Sequence, residues 1–144
     1  MTMDDFVETT IELTLDSGCC DHVADLADMP GYACVLGPSP ASRQKRNFIV
    51  GNGEKLPNEG QVLVNMETDD DIVIKSTFQV AGVSRPLMSV SKICDQGLFC
   101  SFDALEARIT NADGKVVCKF KRDGGLYTCQ MKLKRPSSFT GPDR

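Results

Sequence analysis

The chain has 144 residues, a formal net charge of −4 at pH 7, and 41% hydrophobic and 25% charged residues. This length predicts one domain with a core of its own, and the composition excludes wholesale disorder. An acidic balance argues against binding to nucleic acid or to a membrane surface, because both favour a basic excess. No apolar run reaches the length of a membrane span.

The first residues are acidic and lack the basic region of a secretory signal. The seven cysteines are an odd number without regular spacing, which favours reduced thiols over a disulfide framework. We therefore expect an intracellular, cytoplasmic protein.

Alternating apolar residues predict an all-β chain. The first strand is expected over residues 6–15, and a hairpin over 48–56 has the Gly-rich tip Gly51-Asn52-Gly53. The further strands are predicted over residues 61–66, 72–80, 98–103, 106–110, 115–120 and 125–133.

One helix is expected, with Ser89 as its N-cap and Gly97 just beyond its end. Residues 31–46 are rich in Gly, Pro, Ser and charge, so they are interpreted as a long surface loop. Residues 135–144 hold two Pro and two Ser and are interpreted as a disordered tail or linker. The domain is accordingly expected to span residues 1–134.

Asp16-Ser17-Gly18 follows directly on the first predicted strand. The strand delivers a carboxylate into a tight turn, where Gly18 lets the backbone approach a substrate closely. The Ser17 hydroxyl can hydrogen-bond the local backbone and so hold the shape of the turn. Asp16 is the candidate catalytic residue.

Three segments in order carry a family resemblance: residues 15–23 (LDSGCCDHV), 50–60 (VGNGEKLPNEG) and 86–97 (PLMSVSKICDQG). Together they resemble the retropepsin-like aspartic protease region of copia-type retrotransposon Pol polyproteins, over about residues 11 to 133. Two departures stand out. Cys19-Cys20 replaces a common Ala after the motif, and Ser89 stands where retroviral proteases have Gly.

The resemblance implies a retropepsin-like acid protease fold, a closed or orthogonal β-barrel half-lobe with a flap hairpin. It also implies an aspartic endopeptidase that works as a symmetric homodimer, without cofactor or metal, on extended peptide or polyprotein substrates. Asp16 would be catalytic. The residues expected to support the catalytic turn are Ser17, Gly18, Leu87, Met88 and Ser89. The flap and substrate-binding residues would be Gly51, Asn52 and Gly53, and further pocket candidates are Ile49, Leu56 and Met88.

Other interpretations stay open. The main alternative is a catalytically inactive retropepsin-like fold that serves as a dimerisation or peptide-binding module, and another is a passive spacer within a polyprotein. A zinc site at Cys19, Cys20 and His22 is disfavoured, because adjacent strand residues point to opposite faces. A thiol hydrolase built on Cys20 and His22 lacks an evident third residue to orient the histidine.

Overall fold

The computed structural model describes residues 8–49 and 53–137, and within these ranges the protein is mostly β. The strands are β1 (Thr9–Asp16), β2 (Val23–Ala24), β3 (Asn47–Ile49), β4 (Lys55–Pro57), β5 (Gly60–Glu67), β6 (Val73–Val80), β7 (Leu87–Ser89), β8 (Phe99–Phe102), β9 (Glu106–Thr110), β10 (Val116–Asp123) and β11 (Leu126–Leu133). The helices are α1 (Pro40–Arg43), α2 (Val90–Asp95) and two 3₁₀ turns, Leu26–Asp28 and Ala33–Val35.

Nine strands form one sheet in the order β1-β7-β2-β6-β5-β11-β10-β9-β8, and β1 also pairs with β11. Most pairings are antiparallel, but β1 pairs with β7, and β2 with β6, in parallel. Strand β7 therefore lies between β1 and β2, which are consecutive in the chain. The segment that joins them, residues 17–22, passes the end of β7, and this crossing positions the candidate site.

The core is built from alternating residues of the long strands. In β1, Ile11 and Leu13 point inward, and Ile11 lies opposite the buried Met131 of β11. Side chains alternate between the faces of a strand, so this spacing of two places the apolar set on one face. Phe78 and Phe120 are also fully buried in the same cluster. The all-β expectation is confirmed at this level.

The expectation of a single helix is wrong. Helix α2 begins after its predicted N-cap, where the Ser89 hydroxyl accepts a hydrogen bond from the Lys92 amide, and Gly97 follows it at a φ of +82°. A second helix, α1, lies inside the predicted loop of residues 31–46. Ser39 and Ser42 form a reciprocal capping box around it, and Pro40 occupies its first position. Caps of this kind stabilise a single turn that has no apolar periodicity to reveal it.

Tyr32 also departs from the loop interpretation, because its side chain is fully buried in the core. Its hydroxyl donates to the carbonyl of Lys134 at 2.6 Å and accepts from the amide of Asn65 at 3.1 Å. The Asn65 side-chain amide in turn donates to the carbonyl of Arg135 and to the hydroxyl of Ser137, both at 3.0 Å. These bonds fasten the chain that follows β11 to β5.

The predicted hairpin is present, since β3 and β4 pair in antiparallel fashion with Ile49 opposite Lys55. Its predicted tip lies partly outside the described residues, which exclude residues 50–52, and so Gly51 and Asn52, as well as residues 1–7 and 138–144. Among the residues that are described, no helix has the length and apolar character needed to cross a membrane.

Candidate functional site

Asp16 is the last residue of β1, and its half-buried carboxylate is fixed by its own turn. The Gly18 amide donates to Oδ1 at 2.7 Å. A Cβ built on Gly18 would lie 3.3 Å from the same oxygen, so a side chain at this position would push the carboxylate by a few tenths of an ångström. Burial, together with the charge of nearby Asp16, raises the pKa of the Cys19 thiol to about 11, so Cys19 is neutral at pH 7.

Strand β7 supports the turn from beneath. It pairs with the end of β1 so that Leu87 lies opposite Thr14 and Ser89 opposite Asp16. Ser89 is completely buried, and its hydroxyl donates to the Cys19 carbonyl at 2.7 Å while accepting from the Lys92 amide at 3.2 Å. One hydroxyl thus joins the Asp16 turn to the first turn of α2.

His22 forms a second tie between the turn and β7. Its Nδ1 accepts a hydrogen bond from the Ser89 amide at 2.9 Å, and its ring packs on Phe78 with centroids 5.2 Å apart. Burial lowers the pKa of His22 to about 4; nearby Lys92 adds to this effect and Asp21 opposes it. His22 is therefore a neutral structural residue at pH 7. Its role was not evident from the sequence, where its closeness to the motif was the only signal.

Cys19, Cys20 and His22 are not arranged as ligands of one metal ion. The Nδ1 of His22 is occupied by the Ser89 amide, half-buried Cys19 packs against the cluster of Val23, Ala81 and Val83, and Cys20 is exposed. In the described part of the chain, no group of three or more His, Cys, Asp or Glu side chains is placed to hold a metal ion.

Two open grooves flank Asp16. The hairpin groove, of about 460 Å³, runs between the turn and β3, and its apolar lining consists of Val23, Phe48, Ile49, Val83 and Leu87. The β11 groove, of about 490 Å³, lies on the other side, and its apolar lining consists of Leu15, Leu87, Phe102, Leu126 and Tyr127. Asp16 is the only acidic side chain among the described residues that line either groove.

Only some of the other predicted site residues line the two grooves. Ser17 lines the β11 groove, is exposed, and makes no side-chain hydrogen bond within residues 8–49 and 53–137, so other groups hold the turn. Gly51 and Asn52 lie outside the described residues, while Gly53 is an exposed bend at a φ of +84°. Ile49 lines the hairpin groove.

Two of the expected pocket residues lie elsewhere. Met88 is buried and lines a small crevice beside α2 together with His22, rather than either groove. Leu56 packs against the small buried cluster of Val23, Ala81 and Val83. Arg85 lines both grooves and was missed, because nothing in its local sequence distinguishes it from a surface arginine.

Comparisons of this chain with protein-family models, with curated proteins and with solved structures found no match. Its chemistry therefore has to be inferred from the residues around Asp16. A half-buried carboxylate that opens into grooves with apolar walls is suited to general acid or base catalysis on a bound chain. One such carboxylate is half of the pair that an aspartic protease requires.

Proposed function

We propose that the protein is an aspartic endopeptidase of the retrotransposon type, with a retropepsin-like fold. It acts as a symmetric homodimer to which each chain contributes Asp16. The observation that carries the proposal is the Asp16 carboxylate, held by the Gly18 amide at the end of β1 between two grooves with no second acidic side chain among their described lining residues. The missing carboxylate is supplied by the second chain.

In this dimer the two Asp16 carboxyls share one proton, because two like charges so close do not both ionise. The ionised carboxylate takes a proton from the attacking water, and the protonated partner polarises the scissile carbonyl. The substrate is an extended peptide segment. Cleavage sites within a polyprotein that contains this domain are its natural substrates. Within residues 8–49 and 53–137, strands β3 and β4 pair only with each other, so an edge of the hairpin is available for strand addition.

Ser89 supports this proposal although it replaces a glycine of the retroviral proteases. Its hydroxyl is buried with partners on both sides, the Cys19 carbonyl and the Lys92 amide. A buried polar group that is fully hydrogen-bonded stabilises the arrangement it joins. The added side chain therefore fastens the turn.

The direct test is cleavage of a peptide library by the wild type and by Asp16→Asn. Asparagine keeps an oxygen to accept the Gly18 amide, so the variant is expected to fold and dimerise with its cleavage abolished. Activity of the wild type should also fall on dilution, in step with the dimer measured by sedimentation. Undiminished cleavage by Asp16→Asn contradicts the proposal, and a stable dimer that binds peptides without ever cleaving them favours the inactive module.

A further inference from the structure

Arg85 gives the two grooves their only positive charge among the described lining residues. Its side chain lines both the hairpin groove and the β11 groove, on either side of Asp16. The residue is exposed, and no carboxylate in the described part of the chain lies within ion-pair distance of its guanidinium. An unpaired guanidinium in a groove of apolar side chains is available to a ligand.

The backbone on both sides of Arg85 is anchored. Val83 is buried in the cluster beneath the hairpin. Pro86 is also buried, and its carbonyl accepts a hydrogen bond at 3.0 Å from the amide of Thr14, which lies two residues before Asp16. The base of the arginine side chain is thus fixed relative to the catalytic turn, and only its flexible stem adjusts to a ligand.

We propose that Arg85 makes the protein select extended peptides with an acidic side chain next to the scissile bond and apolar side chains at the flanking positions. This selection rests on the proposed function, because it places the peptide across Asp16. A guanidinium binds a carboxylate through parallel N–H donors, and a basic peptide side chain meets it as a like charge.

Dimer symmetry strengthens the preference. Two Asp16 carboxyls that share a proton carry one negative charge, whereas two Arg85 side chains carry two positive charges. Among the described lining residues the charges of the dimer cleft therefore sum to a positive value, although each chain has a net charge of −4. Because the two halves are equivalent, an acidic side chain is accepted on either side of the scissile bond.

The test uses matched peptides that differ only in Glu, Gln or Lys beside the scissile bond, with kcat/KM measured for each. The wild type is expected to prefer Glu over Lys by about fivefold, the scale of a partly exposed ion pair. Arg85→Gln should remove the preference and Arg85→Glu should reverse it. Arg43→Glu is the matched control, because Arg43 is exposed on α1 and lines neither groove, and it should leave the preference unchanged.

A second experiment separates this inference from the proposed function: fluorescence anisotropy measures the binding of the same peptides to the Asp16→Asn variant. Cleavage without any preference between Glu and Lys overturns the role of Arg85 and leaves the protease intact. Absence of cleavage, combined with Arg85-dependent binding of the Glu peptide, supports the selection and overturns the protease. If Arg85→Gln abolishes the dimer while charge discrimination is absent in the wild type, Arg85 is an interface residue and the inference is wrong.

Discussion

The turn at Asp16 is tied to segments about 70 residues away, whereas the β3–β4 hairpin beside it is held mainly by its own pairing. The Ser89 hydroxyl reaches the Cys19 carbonyl across 70 positions, and the Ser89 amide reaches His22 across 67. In the described part of the chain the hairpin strands pair only with each other, and Phe48 and Leu56 pack on the cluster of Val23, Ala81 and Val83. We call the Asp16 turn, together with Ser89 and His22 that hold it, the floor of the site. In the proposed protease a rigid floor positions the carboxylate, while the hairpin, which would cover a substrate, gains from fewer attachments.

Acid is expected to lower the stability of the folded protein, because His22 in the floor of the site becomes protonated. The pKa of His22 is about 4 in the folded protein, whereas an exposed histidine has a pKa of 6.5. Between these values the unfolded chain binds the proton and the folded protein does not, so stability falls as pH is lowered through this window. The expected loss of stability by pH 4 is about 3 kcal/mol.

Denaturant unfolding at a series of pH values measures this loss. His22→Asn keeps an acceptor near the Ser89 amide but does not titrate, so its stability should depend less steeply on pH between 6.5 and 4. Equal slopes for the wild type and the variant would show that His22 is not the responsible group.

Removing the Ser89 hydroxyl should loosen the floor at pH 7. Ser89→Ala loses the N-cap of α2 and the bond to the Cys19 carbonyl, with an expected cost of about 2 kcal/mol in the free energy of unfolding. The control is Ser101→Ala, an exposed serine on β8, which should change stability by less than about 0.5 kcal/mol. A cost no larger than that of the control would mean that the hydroxyl does not hold the turn.

Gly18→Ala should displace the carboxylate without unfolding the protein. The new Cβ would lie 3.3 Å from Oδ1 of Asp16, so the oxygen must shift by a few tenths of an ångström. Misplacement of a catalytic group on this scale is expected to lower kcat by about tenfold. Gly82→Ala is the control, since a Cβ there meets nothing within 4 Å, and its kcat should match that of the wild type.

The hairpin should tolerate more change than the floor. Phe48→Ala removes the half-buried side chain that anchors β3, with an expected cost of less than about 1.5 kcal/mol because the site is partly open to solvent. Its main effect should be a higher KM for peptides, with kcat changed less. A drop in stability larger than that of Ser89→Ala would reverse the proposed contrast between hairpin and floor.

Local patterns in the sequence predict those parts of the fold that depend on neighbouring residues. Alternation identifies β5 and β6, the Gly-rich segment identifies the hairpin, and Ser89 with Gly97 delimits α2. The capped turn of α1 has no such periodicity, and the burial of Tyr32 depends on Asn65 and Lys134, which are distant in the chain.

The candidate site likewise combines features that neighbouring residues determine with features that depend on distant parts of the chain. Asp16 and Gly18 are evident from one tripeptide, because the turn that fixes the carboxylate spans only these residues. The ties through His22 and Ser89 depend on β7 lying between β1 and β2, which is a property of the whole sheet. Arg85 becomes notable only once both grooves are seen to share it.

The central claim is that one active site is made from two chains, each of which supplies Asp16. The most direct measurement mixes wild type with Asp16→Asn at constant total concentration, under conditions in which subunits exchange, and follows peptide cleavage. If both carboxyls are required, activity falls as the square of the wild-type fraction, because only dimers of two wild-type chains cleave. Activity that falls in direct proportion to the wild-type fraction would show that each chain acts alone, and would contradict the account.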